Sequence, residues 1–418
     1  MSAPRVLHVN TSDAEGGAAR AANRIHRALR SFGVDSYMLV TNRREASTHV
    51  LRPLNAMQRA LHLAKATAGS RIAACQRTPT NLVLHSINYF SSGLADWINN
   101  SDFDIVNLHW LGGEMLSVEE IAKIRKPLCW TMHDMWAFSG AEHYDDLDYP
   151  GRYRKGYTAA TRPSGYSGPD IDAWVWRRKQ KAWAGKRFHL VSPSRWLAGC
   201  AEQSVLMRRQ RCEVIPNCVD TNIFKPIDRH VARNILNLDS DKRYILFGAM
   251  SSTSDRRKGF HVLQPALKRL AEQVGVAGNV ELLVFGAETP VSPPDLGLPA
   301  HYLGMFHDDV SLALLYNAAD VFVAPSLQDN LPNTLVESLA CGTPCVAFAL
   351  GGMLDLIEHG VTGMLAEPGD FDSLASRLFE TLKQPPSRAG IRQKAMQAYE
   401  GKLVATQYSA LYRNILAI

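Results

Sequence analysis

Acidic residues are missing from one long stretch of this chain: none lies between Glu45 and Asp96. The same stretch holds Arg52, Arg59, Lys65, Arg71 and Arg77. Met57, Leu61, Ala64, Ala68, Ile72 and Cys75 recur there at helical spacing, so the segment is expected to form a helix with an apolar stripe. Two uses fit that pattern: a helix packed on the protein surface, or a face turned toward an anionic membrane or lipid-linked acceptor. Long apolar runs are lacking too. None approaches the ~18 residues a membrane-spanning helix needs. Residues Met1 to His8 show no signal-peptide pattern, because a strand is expected almost at once. The expected location is cytoplasmic, on the inner face of the plasma membrane if the basic helix turns that way. Paired cysteines are also absent. Cys75, Cys129, Cys200, Cys212, Cys218, Cys341 and Cys345 are odd in number and scattered, with no Cys-x-x-Cys pair. This excludes the usual zinc and thioredoxin-like arrangements, and reduced thiols that serve packing are expected.

The net charge of +6 and the pI near 8.9 are moderately basic. Alone they do not mark a nucleic-acid partner, and none is expected. A chain of 418 residues is too long for one ordinary core, so two domains are expected. Short apolar runs alternate with amphipathic stretches. Val6–Asn10, Tyr37–Val40, Asp104–His109, Leu128–His133 and His189–Ser192 read as strands of a first half. Tyr244–Gly248, Val280–Gly286, Ala300–Gly304, Asp320–Ala324 and Pro344–Phe348 read as strands of a second. The alternation predicts an α/β fold: two tandem Rossmann-like, doubly wound domains facing a cleft, over residues 1–212 and 213–398. Ligands in such sheets sit at the carboxyl ends of the strands. Residues 140–171 lack an element pattern and read as a functional loop or a disordered one.

The most informative stretch runs from Pro325 to Pro344. A buried strand empties into a polar turn with Asp329 and Asn330, and Pro332 opens a helix whose inward face carries Glu337. Two carboxylates thus flank a helix N-terminus, where backbone amides can meet a ligand. Ionised carboxylates accept hydrogen bonds from sugar or ribose hydroxyls. Upstream, Arg256, Arg257 and Lys258 precede Gly259 in a polar loop; three cations before a helix suit a diphosphate, although a solvated basic loop has the same composition. Gly16-Gly17 ends the first strand and opens a helix, as an anion site or a plain tight turn would, with Arg20 one turn in. His133, Asp134 and Trp136 follow a buried strand, and His109-Trp110 ends the strand before it. A histidine there suits a hydrogen bond to a sugar hydroxyl or simple packing.

Gly-Gly-Ala-Ala-Arg at 16–20, Asn-Leu-His-Trp at 107–110, Trp-Thr-Met-His-Asp-Met-Trp at 130–136, Pro-Ser-Arg-Trp at 193–196, Ile-Pro-Asn at 215–217, Asp-Arg-Arg-Lys-Gly-Phe at 255–260 and the 325–344 stretch together resemble retaining glycosyltransferases of family 4. The branch they resemble most is that of bacterial exopolysaccharide and colanic-acid-type synthesis. The resemblance implies a GT-B fold and metal-independent transfer from a UDP- or GDP-sugar to a glycan or polyprenyl-diphosphate-linked acceptor, with no cofactor. It implies that Glu337 binds ribose and Asp329 the donor sugar. Asn330, Leu331, Pro332 and Thr334 would line the donor, with Lys258, Arg256, Arg257, Gly16 and Gly17 near the diphosphate. His133 would stand near the reacting centre. His109, Trp110, Asp134, Trp136 and Arg20 would lie on the acceptor side. The last helix, 399–418, would cross back to the first domain. Two departures stand out: Asp329 replaces the usual glutamate, and Thr253 replaces an arginine. An inactive nucleotide-sugar-binding module and a nucleotide-sugar epimerase on the same scaffold are the alternatives.

Overall fold

Within the first compact unit, seven short strands, most of them apolar runs, pair edge to edge as a parallel sheet. The computed structural model describes residues 4–78, 84–248, 255–275, 279–286, 288–306 and 308–417; Thr253 lies outside them. The strands are β1 (Arg5–Val9), β2 (Asp35–Leu39), β3 (Val50–Leu51), β4 (Ile105–Leu108), β5 (Leu128–Thr131), β6 (His189–Ser192) and β7 (Arg211–Val214), in the spatial order β3-β2-β1-β4-β5-β6-β7. The central strands are buried along their length, as a sheet covered on both faces requires. The order reverses between β1 and β4, and this places the ends of those two strands at the switch point where ligands bind in such sheets.

The second unit repeats the plan with β8 (Arg243–Gly248), β9 (Val280–Phe285), β10 (Ala300–Tyr302), β11 (Val321–Ala324), β12 (Cys345–Phe348) and β13 (Gly363–Ala366), ordered β10-β9-β8-β11-β12-β13. Its switch point lies between β8 and β11. Two cores flank this sheet, one built on Leu246, Tyr316, Leu335 and Ile391, the other on Ile245, Leu267, Val323 and Leu378.

The units comprise 1–217 with 401–418, and 218–400. A cut after residue 212 would fall inside β7, which pairs with β6 through Val191↔Glu213. The strand is short and lacks an apolar run, so sequence patterning missed it. The last helix, Gly401–Leu416, belongs to the first unit. Its Tyr412 hydroxyl accepts from Asn107 Nδ2 at 2.8 Å, and Tyr408 Oη lies 3.1 Å from Thr131 Oγ1. Gly401 sits where a Cβ would come 3.3 Å from Ala28.

Residues 140–171 carry short helical turns rather than disorder. Tyr153 and Tyr157 are buried, Arg152 pairs with Asp170 at 2.8 Å, and the Tyr157 hydroxyl donates to Glu142. The helix Ala56–Ala73 begins with a capping box of Asn55 and Gln58. Only Gly69 is fully buried in it, against Glu114, and Met57 and Leu63 are 77% and 68% exposed. Of the expected stripe, Met57 and Leu61 are exposed, whereas Ile72 packs against the first unit's core.

Candidate functional site

In the second unit, glycine geometry fixes the site. Gly259 has φ +73°, and a Cβ there would stand 1.8 Å from the Pro325 carbonyl oxygen. Only glycine lets the Arg256–Lys258 turn lie directly on the loop that leaves β11. The two loops are then laced together. Leu327 N donates to Arg257 O at 2.7 Å, and Arg257 Nη1 donates to Gln328 O at 3.0 Å. Arg257 Nη2 also binds Asp255 Oδ2 at 2.8 Å. Arg257 thus works as a loop clasp, whereas Arg256 is exposed.

This lacing sets Lys258 Nζ 2.7 Å from Asp329 Oδ2. Asp329 Oδ1 accepts from Asn330 N at 3.0 Å. Burial works against the Asp329 carboxylate, but the Lys258 and Arg257 charges outweigh it and hold the group below the usual carboxylate range. A third loop closes the site. Gly352 N donates to Asp329 O at 3.1 Å, and Gly351, at φ +59°, could not carry a Cβ beside that same oxygen. Pro332 stands at the N-cap of the helix Asn333–Ala340 and offers no capping side chain. Leu331 is buried and Thr334 half-buried. Glu337 turns inward, is 1% exposed, and its Oε2 accepts from the Tyr316 hydroxyl at 2.8 Å. Asp329, Asn330, Pro332, Lys258 and Glu337 are thereby brought to the carboxyl ends of β11 and its neighbours.

In the first unit, β1, β4 and β5 present a file of histidines. His8 Nδ1 lies 2.8 Å from His109 Nε2, and His109 Nδ1 lies 2.9 Å from His133 Nε2. Burial drives His8 and His109 far below the ordinary imidazole range. It lowers His133 to about 4, although the Asp134 charge pulls the other way. A second file meets the first at Asp134. Asp134 Oδ2 is 2.6 Å from His143 Nδ1, and His143 Nε2 is 2.8 Å from Ser86 Oγ. Burial opposes the Asp134 charge, yet His143 and the Trp136 amide hold its pKa down. A cavity of about 10 Å³ touches His109, Trp110, His133, Asp134 and His143.

Two residues expected on the acceptor side are core residues instead. His109 is 2% exposed and lies between His8 and His133. Trp136 is 3% exposed, donates from Nε1 to Ser86 O at 2.9 Å, and lies 3.7 Å from Lys179 Nζ. Lys179, wholly buried, caps the turn by donating to the carbonyls of Trp136, Ser139 and Gly140. Trp110 is half-buried, with Nε1 3.2 Å from His143 Nδ1. Gly16, at φ +89°, opens the helix Gly17–Ser31 without a side-chain cap, and Arg20 is half-buried one turn on. Sequence reading missed His8, His143, Lys179, Tyr316 and Asp255. Gly351-Gly352, just after β12, carried a readable signal: paired glycines at a strand end. The others are single polar residues in ordinary contexts.

Among the described residues no group of three His, Cys, Asp or Glu side chains is placed to hold a metal ion, and no helix is long and apolar enough to cross a membrane.

Residues 15–223 match the model of Glycosyltransferase Family 4, and residues 241–384 that of Glycosyl transferases group 1. A D-inositol 3-phosphate glycosyltransferase of Mycobacterium avium is 30% identical over 198 residues, 45% of this chain and 45% of its own length. The match thus spans less than half of that relative. Sucrose-phosphate synthase from Thermosynechococcus elongatus superposes with a TM-score of 0.67 at 17% identity, over 99% of each chain. Anabaena HepE, solved with UDP and glucose, gives 0.62 at 16% identity, over 98% of this chain and 99% of that one. At such identities the likeness speaks for the fold.

Proposed function

This chain belongs to glycosyltransferase family 4, and on that premise we propose that it is a retaining, metal-independent transferase. It moves a sugar from a UDP- or GDP-sugar to a glycan or polyprenyl-diphosphate-linked acceptor in bacterial polysaccharide synthesis. Its two parallel α/β sheets are those of GT-B glycosyltransferases. The observation that carries the reading is the Lys258–Asp329 pair, held on laced loops beside an uncapped helix N-terminus. A cation and a row of backbone amides suit a diphosphate, and a buried carboxylate suits sugar hydroxyls. In this reading the donor's diphosphate meets Lys258 and the backbone amides of Asn333 and Thr334 at the start of the helix. The sugar meets Asp329, and Glu337 takes the ribose.

The chemistry follows from charge. As the glycosidic bond breaks, negative charge builds on the leaving diphosphate. Lys258 and the helix N-terminus stabilise it, and Arg256 is exposed beside them. The acceptor hydroxyl attacks from the same face and passes its proton to a phosphate oxygen. No protein base is needed, and His133 hydrogen-bonds the sugar near the reacting carbon. The basic helix Ala56–Ala73, with exposed Met57 and Leu63, would hold the enzyme against an anionic membrane that carries the acceptor.

A binding module that holds a nucleotide sugar without turnover is the second reading. It is favoured by one fact: both oxygens of Asp329, the shortened carboxylate, already have protein partners. A panel of UDP- and GDP-sugars, followed by thermal shift and nucleotide release with and without EDTA, separates the two. Transfer predicts a shift of several degrees with one donor, slow nucleotide release, and indifference to EDTA. A shift without release favours the binding module, and no shift with any donor rejects both.

A further inference from the structure

Three imidazoles in a row, His8 and His109 buried and His133 half-buried, must settle which nitrogens carry protons. Each contact, His8 Nδ1 to His109 Nε2 and His109 Nδ1 to His133 Nε2, needs one donor and one acceptor. For neutral rings only two arrangements satisfy both. Either His8 and His109 donate from Nδ1 toward His133, or His133 and His109 donate from Nε2 toward His8. The far end decides. His8 Nε2 is buried and has no hydrogen-bond partner. The second arrangement would leave an orphaned N–H there, which folded proteins avoid more strongly than an under-used acceptor.

We infer that His109, backed by His8, is a positioning residue that holds His133 as its Nδ1–H tautomer, with Nε2 as the acceptor. The lowered pKa values of all three rings support neutral imidazoles throughout the file. The strands make the device rigid. His8 lies within β1, His109 directly follows β4, and His133 follows β5 after Met132; the three strands are adjacent in one sheet. Asp134 is fixed in parallel by His143, itself held at Ser86. The His133-Asp134 pair is therefore set from two sides by buried groups. His133 then reaches its substrate as a defined donor from Nδ1, and a 180° ring flip would break the contact with His109.

The full-length chain, labelled with ¹⁵N-histidine, tests this by long-range ¹H–¹⁵N correlation at neutral pH, with His133→Gln to assign the signal. The expected wild-type spectrum shows His133 protonated at Nδ1 and bare at Nε2. In His109→Phe the Nε2–H form, intrinsically favoured for a neutral imidazole, becomes populated. A wild-type His133 protonated at Nε2, or a tautomer unmoved by His109→Phe, overturns the inference. Should His109→Phe not fold, the wild-type spectrum still decides. A kinetic arm rests on the transfer reading above. With the UDP- and GDP-sugar panel, kcat of His109→Phe falls on the order of tenfold with KM unchanged. His109→Gln, whose amide can still donate, recovers most of it. An unaltered kcat in His109→Phe, or no recovery in His109→Gln, counts against the positioning role. The spectroscopic arm does not depend on turnover, so a chain that transfers nothing would still report on the histidine file.

Discussion

In the proposed reading Asp329 sits at the centre of the donor side, and its short side chain is the main departure from the pattern the chain resembles. With Lys258 on one oxygen and the Asn330 amide on the other, it orders its surroundings before any ligand arrives. Asp329→Asn keeps the shape and removes the charge. We expect donor kcat/KM to fall roughly 10- to 100-fold, because hydrogen bonds to a charged group are worth about 1.5–3 kcal/mol; steady-state kinetics with the active donor measure it. The buried histidines predict a pH effect on stability. His26 is lowered to about 3 by burial first and by Arg30, His49 and Arg27 after it, and His8 and His109 are lowered as well. For a base depressed in the folded state, the unfolded chain binds the proton more readily. Stability is therefore fully present above pH 6.5 and is lost as pH falls toward the folded values. Each group contributes up to ~1.4 kcal/mol per pH unit across that window. Urea midpoints at pH 7 and pH 5 test this; equal midpoints would contradict it. At this scale the sequence was partly legible. Lys258, Asp329 and His133 stood out because strand ends and turn residues surround them. Lys179 did not, since a lysine in a charged helix looks solvated until the fold buries it against Trp136.

The turn at 255–259 and the loops after β11 and β12 lie together, and glycines decide how closely. Gly259→Val would force a Cβ into the Pro325 carbonyl and demand an unfavourable positive φ. Strain and overlap together should cost on the order of 2–4 kcal/mol. The melting temperature should drop by several degrees, as calorimetry would register; a wild-type melt would show that the loops are not laced as described. The helix Ala56–Ala73 carries the membrane prediction. Met57→Glu with Leu63→Glu should abolish flotation with vesicles of anionic phospholipid and leave donor hydrolysis unchanged. Flotation equal to wild type would remove this helix from the membrane account. Its apolar spacing was visible in the sequence, but only the fold shows that Met57 and Leu61 are exposed while Ile72 packs against the core. Helix Asn333–Ala340 was legible almost whole, from Pro332 to the inward Glu337. Strands β3, β7 and β13 were not: β3 is only a pair of residues, β7 (Arg-Cys-Glu-Val) lacks an apolar run, and β13 opens on a glycine.

At the scale of the whole molecule, alternation of apolar runs with helices was enough to predict two parallel α/β sheets, because that pattern has few other packings. The contacts that fix function were not readable that way. His8 and His109 are 101 positions apart in the chain, and Lys258 and Asp329 are 71 apart. Only the sheet order brings them together. The last helix illustrates the same point: the resemblance, not its apolar pattern, implied its return to the first unit, where Tyr408 and Tyr412 hydrogen-bond to Thr131 and Asn107. The central claim is that Lys258, on loops locked by Gly259, holds the diphosphate of a nucleotide-sugar donor. Calorimetric titration of UDP and of GDP into the wild type and Lys258→Ala tests it most directly. The account predicts that one nucleotide binds the wild type and that its Kd weakens at least tenfold in Lys258→Ala, with the fold unchanged by circular dichroism. Equal affinity in both proteins, or no binding of either nucleotide to the wild type, would contradict it.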